Sequence, residues 1–381
     1  MKHTDCYILG TSLQAFGKYP DMPVAKIGAD AVNEIVGERP DVPIDEVWCG
    51  SSISGMLIGQ RVMREVGADG IPTFNIENAC SSSASAFSLA VQRVQSRACR
   101  TALVVGVEKL SSLGGGPLPL VSDDWEVRQN LSMPAVYAMR AKRYLKDTSC
   151  EVDDLVAIST KNHNNAVENP RAYWDKPLTA DEVAESRMVA DPLTLLQCCP
   201  TVDGAAAVLL AGADFLDEST PAVKVLSTVV QSGRFTNGFR DMTRSELSER
   251  TAGIAYENAG ISPADVDVAE VHDAFSIAEI MYYESLGFAE PGQGAEFVRG
   301  GVTRRDGSLP VNPSGGLLGR GHPIGATGTA QIVEIALQLG GLAGPTQVSS
   351  PLEVGLTHCT GGGIWGFDHG ACAVNILGRV A

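Results

Sequence analysis

The chain has 381 residues, 44% of them apolar, with 41 glycines and a formal net charge of −16. That apolar share supports one large core or two smaller ones and excludes a disordered chain. The negative charge sets polyanions aside, so neither nucleic acid nor an anionic membrane surface is an expected partner.

No stretch approaches the roughly 20 consecutive apolar residues of a membrane-spanning helix. The opening residues lack a charged segment followed by an apolar run, and the final residues, Leu377 to Ala381, match no lipidation or peroxisomal signal. A cytoplasmic protein is the expectation. The nine cysteines are scattered and include no Cys-x-x-Cys pair, so neither a disulfide framework nor a zinc site is expected.

Taken in order, the elements read as one topology written twice. An apolar strand near Cys6 to Gly10 leads to a helical stretch from Val24 to Gly37. A turn at Val42-Pro43 then leads into a strand ending near Gly50. Thr73 to Asn78 is extended, and Cys80 opens a helix to about Arg97, with Ala84, Phe87, Val91 and Val94 on one face. Strands follow at Thr101 to Val107 and Ala205 to Leu210. Between them, Ser111 to Pro200 forms an excursion with Gly114-Gly115-Gly116-Pro117, polar turns and short helical patterns. The second copy runs from a strand at Val223 to Val230, through a helix at about Ser245 to Ala259 that stops at Gly260, to a strand ending at His272. Asn312 to Gly316 leads to His322 at the start of a helix reaching Leu339, and strands at Val354 to His358 and Ala371 to Leu377 close the chain. Strands alternating with helices imply an α/β fold with mostly parallel sheets covered on both faces. The expected division is 1–110 with 201–220, an excursion at 111–200 that covers an active site, and 221–381.

Four residues stand at the junctions of the two copies. Cys80, in Asn78-Ala79-Cys80-Ser81, would meet unpaired N–H groups at a helix start, which favour the thiolate. His322 lies in Gly321-His322-Pro323-Ile324-Gly325-Ala326-Thr327-Gly328. His272 precedes Asp273, which could fix an imidazole or cap the following helix. Cys359 precedes Thr360 and the glycines Gly361 to Gly363, whose N–H groups suit an oxyanion. Each alone also fits ordinary packing or capping. Together, on the strand-end loops of a duplicated sheet, they comprise a nucleophile, a base, a second acid/base and an oxyanion donor, the parts of an acyl transfer.

At these motifs, and at Leu196 to Ala207, the sequence resembles the thiolase family along nearly its whole length. The resemblance is to the sterol-carrier-protein-type and archaeal or bacterial branch, where a His-Asp motif replaces Asn-Glu. It implies the thiolase fold: two βαβαβαββ halves in an α-β-α-β-α core with a loop-domain excursion. It implies an acyl-CoA C-acyltransferase of lipid metabolism or β-oxidation that thiolyses a β-ketoacyl-CoA or condenses two acyl-CoAs. By resemblance Cys80 accepts the acyl group, His322 activates it, Cys359 handles the α-proton, and His272 with His322 lines one oxyanion hole. The backbone N–H groups of Cys80 and Gly361 line the other. Coenzyme A is then a substrate, with no tightly bound cofactor or metal.

The resemblance also implies a homodimer or dimer of dimers that buries a sheet edge, and the strand near Val104 is apolar enough to contribute to it. The excursion, with nine Lys/Arg against thirteen Asp/Glu, offers CoA's phosphates no basic cluster. A small zinc-ribbon/OB-fold partner that completes the CoA site is therefore expected. The alternatives are a thiolase-fold retro-aldolase acting on a β-hydroxyacyl-CoA and a non-catalytic lipid-transfer or scaffold subunit. A ketosynthase-like enzyme fits less well, since those present Cys-His-His or Cys-His-Asn. Branched, aromatic and steroid-derived acyl chains are all compatible.

Overall fold

A computed structural model describes residues 4–114, 118, 125–216, 222–234, 241–362 and 368–380. Gly115, Gly116, Pro117 and Gly363 of the sequence motifs lie outside them. The first half contains β1 (Cys6–Leu13), α1 (Val24–Glu38), β2 (Glu46–Gly50), α2 (Ile58–Val66), β3 (Thr73–Ile76), α3 (Ser82–Gln95) and β4 (Thr101–Lys109). The excursion holds α4 (Trp125–Arg128), α5 (Met133–Asp147), α6 (Val152–Val167), α7 (Ala180–Ala184) and the hairpin β5 (Met188–Ala190) and β6 (Leu193–Thr194), before β7 (Asp203–Gly212). The second half contains β8 (Val223–Ser232), α8 (Glu246–Ala259), β9 (Val268–Glu270), α9 (Ser276–Ser285), α10 (Gly294–Arg299), α11 (Gly316–Gly319), α12 (Thr327–Leu339), β10 (Val354–Gly361) and β11 (Ala371–Arg379).

The strand order is β3-β2-β4-β7-β1-β8-β11-β10-β9. It mirrors about the β1–β8 junction, where two residue pairs, Tyr7 with Lys224 and Ile8 with Val223, join the halves. The second half has no full counterpart of β3; a single parallel bridge between Ala269 and Val311 stands there. The sheet is mixed, not mostly parallel. β2 runs parallel to β3 and β4, and β9 to β10, but β7 and β11 enter antiparallel to both of their neighbours. Each half closes with a strand that returns between its first strand and its parallel set, which an α/β alternation read locally does not reveal. Val104 sits in β4, between β2 and β7, so the free edge of this half is β3, where Phe74 is exposed.

Two helices fill the middle layer. α12 is buried at every one of its residues, Thr327 to Leu339. A fully buried Leu or Ile contributes about 1.5–3 kcal/mol, but the buried polar side chains need partners. Gln331 donates to the His358 carbonyl at 3.1 Å, Glu334 accepts from Asn169 at 2.9 Å, and Gln338 donates to the Thr346 carbonyl at 2.8 Å. α3 lies beside it and is built from small residues, Ser82 to Ala86 among them, all buried. Gly328 makes that approach close. A Cβ there would lie 2.6 Å from the Ala84 nitrogen and Cβ. The Thr329 N–H donates to Ser83 Oγ at 3.0 Å, so the contact also carries a hydrogen bond between the halves.

The helix contact fixes the sign of one substitution. Alanine for a helical glycine ordinarily adds about 0.5–1 kcal/mol of stability. Gly328→Ala should instead cost about 1–3 kcal/mol through overpacking, read as a lower urea midpoint at unchanged m-value. A midpoint equal to or above wild type would refute the close packing.

Candidate functional site

Cys80 lies in a single 3-10 turn, Ala79–Ser81, which runs directly into α3. Ala79 adopts φ 49°, in the left-handed region that costs a non-glycine residue energy. The turn is held from both sides. Ala79 N–H donates to Glu77 at 2.7 Å, and Ser81 N–H and Oγ both donate to the Asn78 carbonyl. His322 stands in the turn between α11 and α12, five residues before α12 begins, and not at the helix start as the spacing suggested.

The four expected residues converge from both halves. The sulfur of Cys80 and a ring nitrogen of each of His272 and His322 lie within 4.8 Å of one another. The two imidazoles meet edge to face at 5.0 Å. Cys359 Sγ is 3.5 Å from His272 Nδ1 and 3.2 Å from the Cys80 carbonyl. Among the described residues, the Cys80, His272 and His322 trio is also the donor set that could take a soft divalent ion such as zinc.

The hydrogen bonds of His322 fix its tautomer. Its Nδ1 is 2.7 Å from Thr327 Oγ1, and the Thr327 hydroxyl donates its single proton to the Pro323 carbonyl at 3.1 Å. Nδ1 therefore carries the proton, and the Nε2 lone pair is left as a base. Burial, with the Arg320 charge behind it, lowers the His322 pKa to about 3, so the ring is neutral. Burial and the neighbouring histidines hold His272 well below its usual range as well.

The Cys80 thiol departs from the helix-start expectation. Burial and the Glu108 carboxylate push its pKa up to about 12, against the opposing pull of its own backbone N–H and that of Gly362. Desolvation outweighs the N–H groups, which favours a thiol at Cys80 beside the neutral imidazole of His322. Burial, then Cys80, raises Cys359 well above the ordinary thiol range. Among the N–H groups that lower the Cys80 pKa is that of Gly362, the neighbour of the expected Gly361. Gly361 lies in β10, packed so tightly that a Cβ there would meet the Asn78 carbonyl at 2.1 Å.

Asp273 neither fixes an imidazole nor caps the helix that follows it. Its carboxylate accepts from Leu317 N–H at 2.6 Å, Leu318 N–H at 3.3 Å and Asn162 at 2.7 Å, capping α11 across the site. Several contributors were not legible. Glu108, fully buried at the end of an apolar strand, accepts from Ser52 N–H at 2.8 Å and Gly325 N–H at 3.2 Å, tying the His322 turn to the first half. A lone carboxylate in Thr101–Lys109 is a signal that could have been read. His369 lies 6.2 Å from His272 between ring centres, and Tyr137 reaches it from the excursion; no spacing pattern marks either.

The sequence matches the thiolase N-terminal domain over residues 6–214 and the thiolase C-terminal domain-like family over 231–372. The chain belongs to the thiolase family. It is 37% identical over 390 residues to an acetyl-CoA acetyltransferase of Methanothermobacter thermautotrophicus, covering 98% of this chain and 100% of that one. It is also 37% identical to the benzoylsuccinyl-CoA thiolase subunit BbsB of Thauera aromatica, covering 94% of each. Human sterol carrier protein 2 is 32% identical, over 93% of this chain and 69% of that protein. Among solved structures, the Ltp2-ChsH2(DUF35) aldolase superposes with a TM-score of 0.84 at 20% identity, covering 99% of this chain and 98% of that one. An acetyl-CoA acetyltransferase from Syntrophomonas wolfei superposes at 0.73 and 18%, covering both chains fully. These two likenesses show the thiolase fold. The protein is an acyltransferase by family, and no helix among the described residues is long and apolar enough to cross a membrane.

A resting thiol predicts the pH dependence of its alkylation. Thiolate, the reactive form, is scarce at pH 7 and grows tenfold per unit below a pKa near 12. The rate of iodoacetamide modification of Cys80, followed by mass spectrometry, should climb from pH 7 to 10 without a plateau. A plateau beginning near pH 7 would mean a preformed thiolate–imidazolium pair.

Proposed function

We propose that this thiolase-family protein is an acyl-CoA C-acyltransferase that works through an acyl-Cys80 intermediate, cleaving a β-ketoacyl-CoA with CoA or condensing two acyl-CoAs. The observation behind this reading is the convergence of Cys80, His272 and His322 within 4.8 Å, with Cys359 beside His272. Cleavage starts when His322 Nε2 takes the Cys80 proton as the sulfur attacks the β-carbonyl carbon. The resulting oxyanion is met by the Cys80 and Gly362 N–H groups. The carbon–carbon bond breaks and its electron pair leaves on the thioester enolate, stabilised by donors from His272 and His322. Cys359 gives its proton to the α-carbon. CoA then enters, loses its thiol proton to Cys359, and attacks the acyl-Cys80 carbonyl, which frees the sulfur. The complete Cys/His/Cys set favours this reading over a retro-aldolase or a scaffold.

Two further proposals accompany it. A homodimer would cover the β3 edge, whose Phe74 is exposed and stacks on Trp48 at 4.4 Å. A small partner would complete the CoA site, as a DUF35 protein accompanies the Ltp2 aldolase. Four of the excursion's nine cations are already engaged or buried, which supports this. Lys142 and Arg143 pair with Asp191 and Asp147, Lys161 pairs with buried Glu279, and Arg140 is itself buried. The purified chain should then bind CoA weakly, and adding the partner should raise thiolysis; ordinary turnover and CoA affinity in the chain alone would remove the partner.

Separate variants test the roles of the two thiols. After incubation with an acyl-CoA, mass spectrometry should find one acyl group on Cys80, absent in Cys80→Ser. Cys359→Ala should keep that adduct while carbon–carbon bond formation falls by about 10²–10⁴-fold, the scale of a lost acid/base. An adduct on Cys359 would overturn the assignment.

A further inference from the structure

Gly362 stands at the centre of a closed circuit of hydrogen bonds. The peptide between Gly361 and Gly362 is fixed on one side, where the Gly361 carbonyl accepts from Gly370 N–H at 3.1 Å. The Gly362 N–H of this trans peptide points away from Gly370, and Gly361 packs against the Cys80 turn, where a Cβ would lie 2.1 Å from the Asn78 carbonyl and 2.8 Å from the Ser81 nitrogen. Gly362 adopts φ 85°, which no other residue takes readily, and its own carbonyl lies 2.9 Å from His369 Nδ1. A carbonyl only accepts, so Nδ1 holds the proton and the neutral ring offers Nε2 as an acceptor.

From there every donor is determined. Tyr137, 2.6 Å away, donates its hydroxyl proton to His369 Nε2. Tyr282, at 3.1 Å, must then donate to Tyr137, and Thr360, at 3.3 Å, to Tyr282. The circuit leaves β10 at Thr360 and returns two residues later at Gly362. It passes through α9, by Tyr282, and through α5 of the excursion, by Tyr137. All four side chains are buried, Thr360 fully and His369 to within 4%.

We infer that His369 is a positioning residue for the oxyanion-binding peptide and that Tyr137 couples the excursion to it. This rests on the acyl-Cys80 reading above. His369 reaches the Cys80 side of the site through Gly362: it holds the Gly362 carbonyl and so orients the preceding N–H. Tyr137 keeps the ring in the tautomer that does this. Any shift of α5 is passed to the N–H that receives the transition-state charge.

Single-turnover acylation of Cys80 by an acyl-CoA, quenched and followed by mass spectrometry, tests the inference. His369→Ala should slow acylation by about 10- to 100-fold, the scale of a small misplacement at a reacting centre, with the concentration for half-saturation unchanged. His369→Asn, whose amide N–H can replace Nδ1–H toward Gly362, should recover most of the loss. His369→Gln, which reaches the Nε2 position instead, should not. Tyr137→Phe should slow acylation in the same sense. The inference is overturned if His369→Ala acylates at the wild-type rate. It is also overturned if Asn and Gln are equally slow, or if the loss is in half-saturation together with a lowered thermal midpoint. Failure of the wild-type protein to form acyl-Cys80 would instead overturn the proposed function, and this inference with it.

Discussion

The contact between α3 and α12 is the constraint on which the rest of the molecule depends. Each helix follows one of the turns that carry Cys80 and His322, so the packing of the helix starts constrains the distance between these two residues. A side chain at Gly328 would collide with Ala84 at 2.6 Å, and one at Gly106 would meet both Ala326 and Ser83 at 2.8 Å. Small residues at these points let the two helices and the sheet close to van der Waals distance, and interiors this dense transmit small displacements. The halves share little direct sheet pairing, two residue pairs between β1 and β8. The register of the site is therefore a matter of helix packing more than of strand hydrogen bonding.

Packing of this kind buries His272 and His322 and half-buries Cys80, and that shifts their protonation equilibria. A helix-start thiol in water would be acidic. Here loss of solvent raises Cys80 to about 12 and lowers His322 to about 3, so neither is charged at rest. In the proposed reaction, proton transfer would accompany attack, so that the two charges arise together where backbone N–H groups can meet them. The carboxylates around the site do structural work on its frame. Glu108 binds the backbone of Ser52 and of Gly325. Asp273 caps α11, and Glu279 gathers Lys161, Asn162, Asn312 and Tyr283. Asn312, at φ 53°, passes the arrangement on by accepting from the Val271 N–H, the residue before His272.

The excursion belongs to the site through these same buried polar links. Asn162 on α6 donates to Asp273 and Glu279, Asn169 donates to Glu334 on α12, and Tyr137 on α5 reaches His369. A buried polar atom without a partner is costly. Residues from the excursion satisfy buried polar atoms of the second half.

The sequence by itself determined the family, the duplicated α/β pattern and the four residues that meet at the centre, because these rest on local signals. Hydrophobic spacing marks helices, and glycines beside His322 and Cys359 mark turns that no bulky residue could make. Asp273 and Glu108 show the limit of such signals. A carboxylate's role depends on which N–H groups lie opposite, and Leu317 and Ser52 are 44 and 56 residues away. Tertiary structure alone decided the mixed strand order, the interior place of Val104 and the burial that raises the Cys80 pKa. It alone also brought His369 and Tyr137 to the site. Each of these depends on desolvation or on contacts between distant segments, and neither quantity is a property of neighbouring residues along the chain.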